Sequence, residues 1–200
     1  MKWIVITPPD FINHEAELIN QLFEHGIDLL HLRKPNSCIA DCEKLIKGIE
    51  EKWHQQIVVH DHFELYEKYN LHGIHLNKRN HYIPKDFRGS LSRSCHSIEE
   101  VRNATKTEKD NMIGTENAPI FDYVFLSPIF DSISKESYSH AFTNKELEDA
   151  AEAGIINDKV VALGGISLPY LPQLRAWNFG GAAFLGDIWS KTNDSNWKEY

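Results

Sequence analysis

The chain has 200 residues, 42% hydrophobic, 25% charged and 11% aromatic; that composition excludes a largely disordered chain and fits one domain with a sizeable core. Asp and Glu number 29 against 21 Lys and Arg, a formal charge of -8. This argues against a nucleic-acid partner, although a few oriented N–H groups can still build a local anion site.

Short apolar runs recur, each followed by a longer amphipathic stretch. Trp3-Ile4-Val5-Ile6 predicts a strand, stopped by Pro8-Pro9. Leu18, Ile19, Leu22 and Phe23 then share a helical face, with Gly26 as its C-cap. A second strand is predicted at 27–33. After Pro35, the spacing of Ile39, Cys42, Leu45, Ile46 and Ile49 predicts a helix from 37 to about 52. Residues 57–60 read as a third strand, 63–69 as a short helix, 73–76 as a fourth strand and 77–87 as a polar loop. A weaker fifth strand follows at 91–95. Ser97 with Glu100 three residues on predicts a capping box that opens a helix to about 106. Residues 105–120 have no period and read as an inserted loop. Strands are predicted at 123–126, 160–163 and 181–185, and beyond Trp189 the chain turns polar, as if the last helix were cut short.

About eight strands alternating with helices predict an α/β fold, a single (β/α)8 TIM barrel of parallel strands spanning 1–200 as one domain. A doubly wound open sheet would place a glycine-rich turn after the first strand, and Pro8-Pro9-Asp10 is not that turn. Cys38, Cys42 and Cys95 are odd in number and form no CxxC, so neither a disulfide framework nor a zinc site is expected, and a reducing cytoplasm is the natural compartment. The first ten residues turn polar too soon for a signal peptide. No apolar run approaches the ~18 residues that a membrane span needs.

In such a barrel the chemistry stands at the C-terminal ends of the strands. Gly164-Gly165 and Leu185-Gly186-Asp187 follow the seventh and eighth strands, where this fold often binds phosphate; each is otherwise a plain tight turn. Asp61 reads as a Mg2+ ligand, or as a helix cap or ion-pair partner. His60-x-His62 reads as pocket histidines in preference to a metal pair. Arg33 offers an anion fork or an ion pair. Lys78-Arg79 suits pyrophosphate or a solvated basic turn, and Ser132-x-Ser134-Lys135 a phosphate or a polar loop.

Aligned at these strand ends, the chain resembles the thiamine phosphate synthase and TenI family from about Trp3 to Ile188. The likeness is carried by His31-Leu32-Arg33, His60-Asp61, Gly73-Ile74-His75-Leu76 and Ser92-Arg93-Ser94-Cys95-His96-Ser97. It continues in Pro128-Ile129-Phe130, Ser132-x-Ser134-Lys135, Ala162-Leu163-Gly164-Gly165-Ile166 and Gly181-Ala182-Ala183-Phe184. The resemblance implies a cytoplasmic enzyme of thiamine biosynthesis, commonly dimeric, acting on small phosphorylated substrates. It implies a transferase that couples hydroxymethylpyrimidine pyrophosphate to thiazole phosphate with Mg2+. A thiazole tautomerase and a non-catalytic phosphate-ligand binder are the alternatives. It further implies catalytic roles for Arg33, Lys135 and His31 and substrate or phosphate contacts at His60, Ser94, Ser132, Ser134, Gly165, Leu185 and Gly186. Asp61 is the implied Mg2+ ligand. The chain departs from the family pattern at His31 (for Gln), Pro35 (for the signature Lys, with Lys34 one residue early), His60 (for Asn) and Asn80, which stands near the family's second metal carboxylate. An amide there weakens or removes the Mg2+ site.

Overall fold

The computed structural model describes residues 1–105, 119–131 and 141–191. Its strands are β1 (Lys2–Ile6), β2 (Leu29–Leu32), β3 (Ile57–Val59), β4 (Gly73–Leu76), β5 (Ser90–Cys95), β6 (Tyr123–Leu126), β7 (Val160–Leu163) and β8 (Gly181–Phe184). They follow one another in chain order around a closed, parallel (β/α)8 barrel. The helices are α1 (Glu15–Glu24), α2 (Ile39–Gly48), α3 (Glu64–Lys68), α4 (Ile98–Ala104), α5 (Asn144–Glu152), α6 (Leu171–Ala176) and α7 (Gly186–Lys191). No helix lies between β4 and β5. Strands buried on both faces read as continuous apolar runs; Ile57, Val58 and Val59 of β3 are all fully buried, whereas β5 keeps part-exposed Arg93 and Ser94.

Two compact units make up the chain: Lys2–Ser90 with Ala183 onward, and Met1 with Leu91–Ala182. In the first, β1 pairs β2 with Ile6 opposite His31, and β2 pairs β3 with Leu32 opposite Val59. The indole N–H of Trp189 in α7 donates to the Ile6 carbonyl at 2.7 Å, both groups being buried. In the second, β5, β6 and β7 pair in turn, with Ser94 opposite Phe125 and Phe125 opposite Val161. The capping motif of α5 is complete: Thr143 and Glu146 satisfy each other's backbone N–H groups.

Two local expectations change. The helix predicted from 37 to about 52 ends at Gly48, and a 3-10 turn at Glu51–Gln56 takes over. Ile49 and Glu50 are extended there because Asn20 of α1 caps the break. Its amide donates to the Gly48 carbonyl at 3.1 Å and its oxygen accepts the Glu50 N–H at 2.9 Å. A Cβ on Gly48 would stand 2.7 Å from Ala16, so the two helices meet where only glycine fits. At α4, Ser97 does accept the Glu100 N–H, but the Glu100 carboxylate reaches past the cap to the His96 N–H at 2.6 Å. The inserted loop lies mostly outside the described residues.

Candidate active site

Arg33 follows directly on β2. Its backbone N–H donates to the hydroxyl of Thr7 at 2.9 Å, and its carbonyl lies 3.2 Å from the same hydroxyl, which donates to it. Thr7 is fully buried just past β1. The ends of two strands are thus tied through one side chain, and the half-buried Arg33 projects from a fixed backbone. Burial pulls its guanidinium below the ordinary arginine range, the like charge of Arg79 adds to this, and Asp61 opposes both.

Asp61 stands two residues past β3 and is met by the loop after β4. Asn77 organises that loop. Its side-chain oxygen accepts the N–H groups of Arg79 and Asn80 at 2.9 and 3.1 Å, a local turn of the kind Asn favours. Its amide donates to the His60 carbonyl at 2.8 Å. The turn sets Asn80 against Asp61: the Asn80 amide donates to Asp61 Oδ1 at 2.8 Å and to the His60 carbonyl at 3.1 Å. Arg79 closes on the same carboxylate, with Nη2 3.2 Å from Oδ1 and 3.4 Å from Oδ2, and Nε 3.4 Å from Oδ1. Both oxygens of Asp61 therefore face N–H donors.

Behind these groups, His31, His60 and His75 converge from β2, the end of β3 and β4. All three are buried, and their ring nitrogens lie within 4.8 Å of one another. His31 Nδ1 is 2.8 Å from His60 Nε2, and the His60 ring stacks on His75 at 4.2 Å between centroids. One nitrogen of the short contact must accept, so the two rings cannot both be protonated there. Burial is the main force holding His31 and His60 well below the usual histidine range; His75 adds to it at both.

These depressed values carry a sign. The unfolded histidines take up protons below about pH 6.5, whereas the folded ones resist, so the unfolded state binds more protons as the pH falls. Stability is full above that pH and is lost below it, by up to about 1.4 kcal/mol per pH unit for each histidine. The urea midpoint at pH 5.5 is expected below that at pH 7.5, with a smaller difference in His31→Gln. Equal midpoints at the two pH values would contradict neutral, buried rings.

Ser94 is part-buried in β5. Gly165 (φ +65°) follows β7 in the left-handed region, where a Cβ would meet the Asp131 carbonyl oxygen at 2.3 Å. The Gly165 N–H makes no hydrogen bond among the described residues, which leaves a donor for an oxyanion. Leu185 and Gly186 lead into α7, and both are part-buried. Ser132, Ser134 and Lys135 lie outside the described residues. Lys34 is turned inward onto Glu15, with Nζ 2.6 and 2.9 Å from its carboxylate oxygens. Thr7 and Asn77 are not among the predicted site residues; a Thr between the first strand and Pro8-Pro9, and an Asn opening a basic turn after the fourth strand, are the signals that point to them. A shallow groove lined by Asn157, Asp158, Arg175 and Asn178 opens beside the N-terminal ends of β7 and β8, where this fold keeps stability rather than chemistry.

Comparison with known proteins gives a consistent result. A family model described as thiamine monophosphate synthase matches residues 3–188. A crystal structure of thiamine phosphate pyrophosphorylase from Bacteroides thetaiotaomicron is 44% identical, with a TM-score of 0.82 over 99% of this chain and 91% of that one. The thiamine-phosphate synthase of Latilactobacillus sakei is 24% identical over 188 residues, covering 88% of this chain and 78% of that protein. A thiamine phosphate pyrophosphorylase from Pyrococcus furiosus, 19% identical, shares the fold with a TM-score of 0.66 over 94% of this chain and 86% of that one.

Proposed function

The chain belongs to the thiamine monophosphate synthase family, and on that premise we propose that it couples a hydroxymethylpyrimidine diphosphate to a thiazole phosphate, forming thiamine phosphate and releasing pyrophosphate. The observation that carries this reading is the family match from residue 3 to residue 188, which reaches into all eight strands.

The C–O bond to the diphosphate breaks, and pyrophosphate leaves with the bonding pair. The pyrimidine methylene cation then accepts the lone pair of the thiazole nitrogen, and the new C–N bond completes the transfer. The protein's task is to meet negative charge as it develops on the leaving group and to hold the two rings in line. Arg33 suits the first task, since its fork is held by a buried threonine and partly withdrawn from water. The Gly165 N–H, which makes no hydrogen bond among the described residues, suits an oxygen of the thiazole phosphate. Ser132, Ser134 and Lys135 are assigned to the phosphates by the sequence resemblance alone. Nothing in the reaction needs a protein nucleophile. Accordingly, burial pushes the thiol of Cys42 up and that of Cys95 to about 11, where neither is a thiolate at neutral pH. A cytoplasmic setting suits three free cysteines. No helix among the described residues is long and apolar enough to cross a membrane.

The test is turnover. Purified protein receives both substrates, and thiamine phosphate is read after oxidation to its fluorescent product. Product is expected in proportion to protein. A folded protein that forms none would remove the reading.

A further inference from the structure

The surroundings of Asp61 do not fit a divalent cation. Mg2+ requires oxygen ligands at about 2.0–2.1 Å in near-octahedral order. Here Oδ1 of Asp61 already accepts from Asn80 Nδ2 and from Nε and Nη2 of Arg79, while Oδ2 accepts from Nη2. The Asn80 amide cannot act as the missing oxygen ligand in this pose. Its nitrogen faces two acceptors, Asp61 Oδ1 and the His60 carbonyl, which fixes the flip and turns the amide oxygen away. A dication on Asp61 would also stand beside a guanidinium, and like charges at that distance repel.

The same contacts make a different device. Asp61 is a lever that aims a guanidinium: its side chain is only 12% exposed, whereas that of Arg79 is 44% exposed. Asn77 locks the Arg79 backbone to the end of β3 by way of the His60 carbonyl. Nη1 of Arg79 makes no hydrogen bond among the described residues, so one edge of the fork remains for a ligand. Arg33 lies near enough for its charge balance to feel both Arg79 and Asp61. Asp61 is ion-paired with Arg79, and Arg33 stands close enough to feel the charge of both, so an anion bound between the two guanidiniums would offset their mutual repulsion.

We propose that Arg79, aimed by Asp61 and Asn80, binds the diphosphate group directly and makes its binding independent of a divalent metal. The proposal rests on the synthase reading for the identity of the diphosphate. Asp61 and Asn80 are positioning residues in it, and Arg79 is the ligand-binding group.

Calorimetric titration with inorganic pyrophosphate in EDTA tests it without turnover. Wild-type protein is expected to bind, and Arg79→Gln to bind at least tenfold more weakly, with part of the loss recovered in Arg79→Lys. Mn2+ alone, followed by paramagnetic resonance, is expected to find no site at Asp61 in the wild type. It should find one in the Arg79→Ala/Asn80→Asp double variant, where a second carboxylate replaces the amide and the competing cation is gone. Pyrophosphate binding only when a divalent ion is added, or Mn2+ bound by the wild type and released in Asp61→Asn, would overturn the proposal. The two readings fail separately. Pyrophosphate bound in EDTA by a protein that makes no thiamine phosphate would leave the anion site standing and remove the synthase. Product formed only with added metal would do the reverse.

Discussion

Glu15→Ala is expected to cost about 3–5 kcal/mol of folding stability, because it strands a buried ammonium. The Lys34 side chain is 0% exposed and that of its partner Glu15 2%. Among the described residues, Nζ otherwise meets only the Asp10 carbonyl at 2.8 Å and the face of Phe11 at 4.6 Å. Burial raises the Glu15 carboxyl and lowers the Lys34 ammonium, and in each case the partner is the chief opposing influence. Removing the carboxylate leaves the desolvation of Lys34 with little to offset it. A protein with about 5–15 kcal/mol of total stability would feel that loss throughout. The double variant Glu15→Leu/Lys34→Met removes both charges and keeps the volume, so its stability should return to within about 2 kcal/mol of wild type or exceed it. Urea unfolding of the three proteins decides the matter, and a cost below about 1 kcal/mol for Glu15→Ala would show that water or another group reaches Lys34. The pair also turns Lys34, beside Arg33 in sequence, away from the anion site proposed above.

Arg33→Ala is expected to lower kcat/KM by about 100- to 1000-fold, the usual loss when one fixed donor to a developing negative charge is removed. Two hydrogen bonds to Thr7 hold its backbone, so little reorganisation is needed when the leaving group acquires charge. Arg33→Lys should recover only part of the rate, since a point charge cannot supply two parallel N–H bonds. Steady-state kinetics on both variants, with circular dichroism to confirm the fold, provide the check. A loss below about threefold for Arg33→Ala would assign the leaving group to other residues.

The barrel could be read from the chain because its strands are dense apolar runs: 73–76, 123–126 and 160–163 were bounded as the structure has them. The end of α2 could not. Leu45, Ile46 and Ile49 keep helical spacing through a break that depends on Asn20, far back in the sequence. The site divides in the same way. Arg33 and Asp61 announced themselves by standing just beyond strands. What Asp61 touches was hidden, because the loop after β4 has no period and its course is set by a single side-chain turn at Asn77. The histidines were visible as strand-end residues. That His31 and His60 share one short contact depends on the side-by-side pairing of β2 and β3, which periodicity does not encode.

The bond from the Trp189 indole to the Ile6 carbonyl joins residues 183 positions apart. It belongs to the unit made of Lys2–Ser90 and the stretch from Ala183. The unit that carries Arg33, Asp61 and Arg79 is therefore discontinuous, with the whole of 91–182 translated between its two parts. On the ribosome, the carbonyl end of β1 waits for its partner until Trp189 has emerged. The other unit, apart from Met1 a continuous stretch, has all its residues in hand sooner. The unit that carries Arg33, Asp61 and Arg79 is thus completed after the other, although most of its residues are made first.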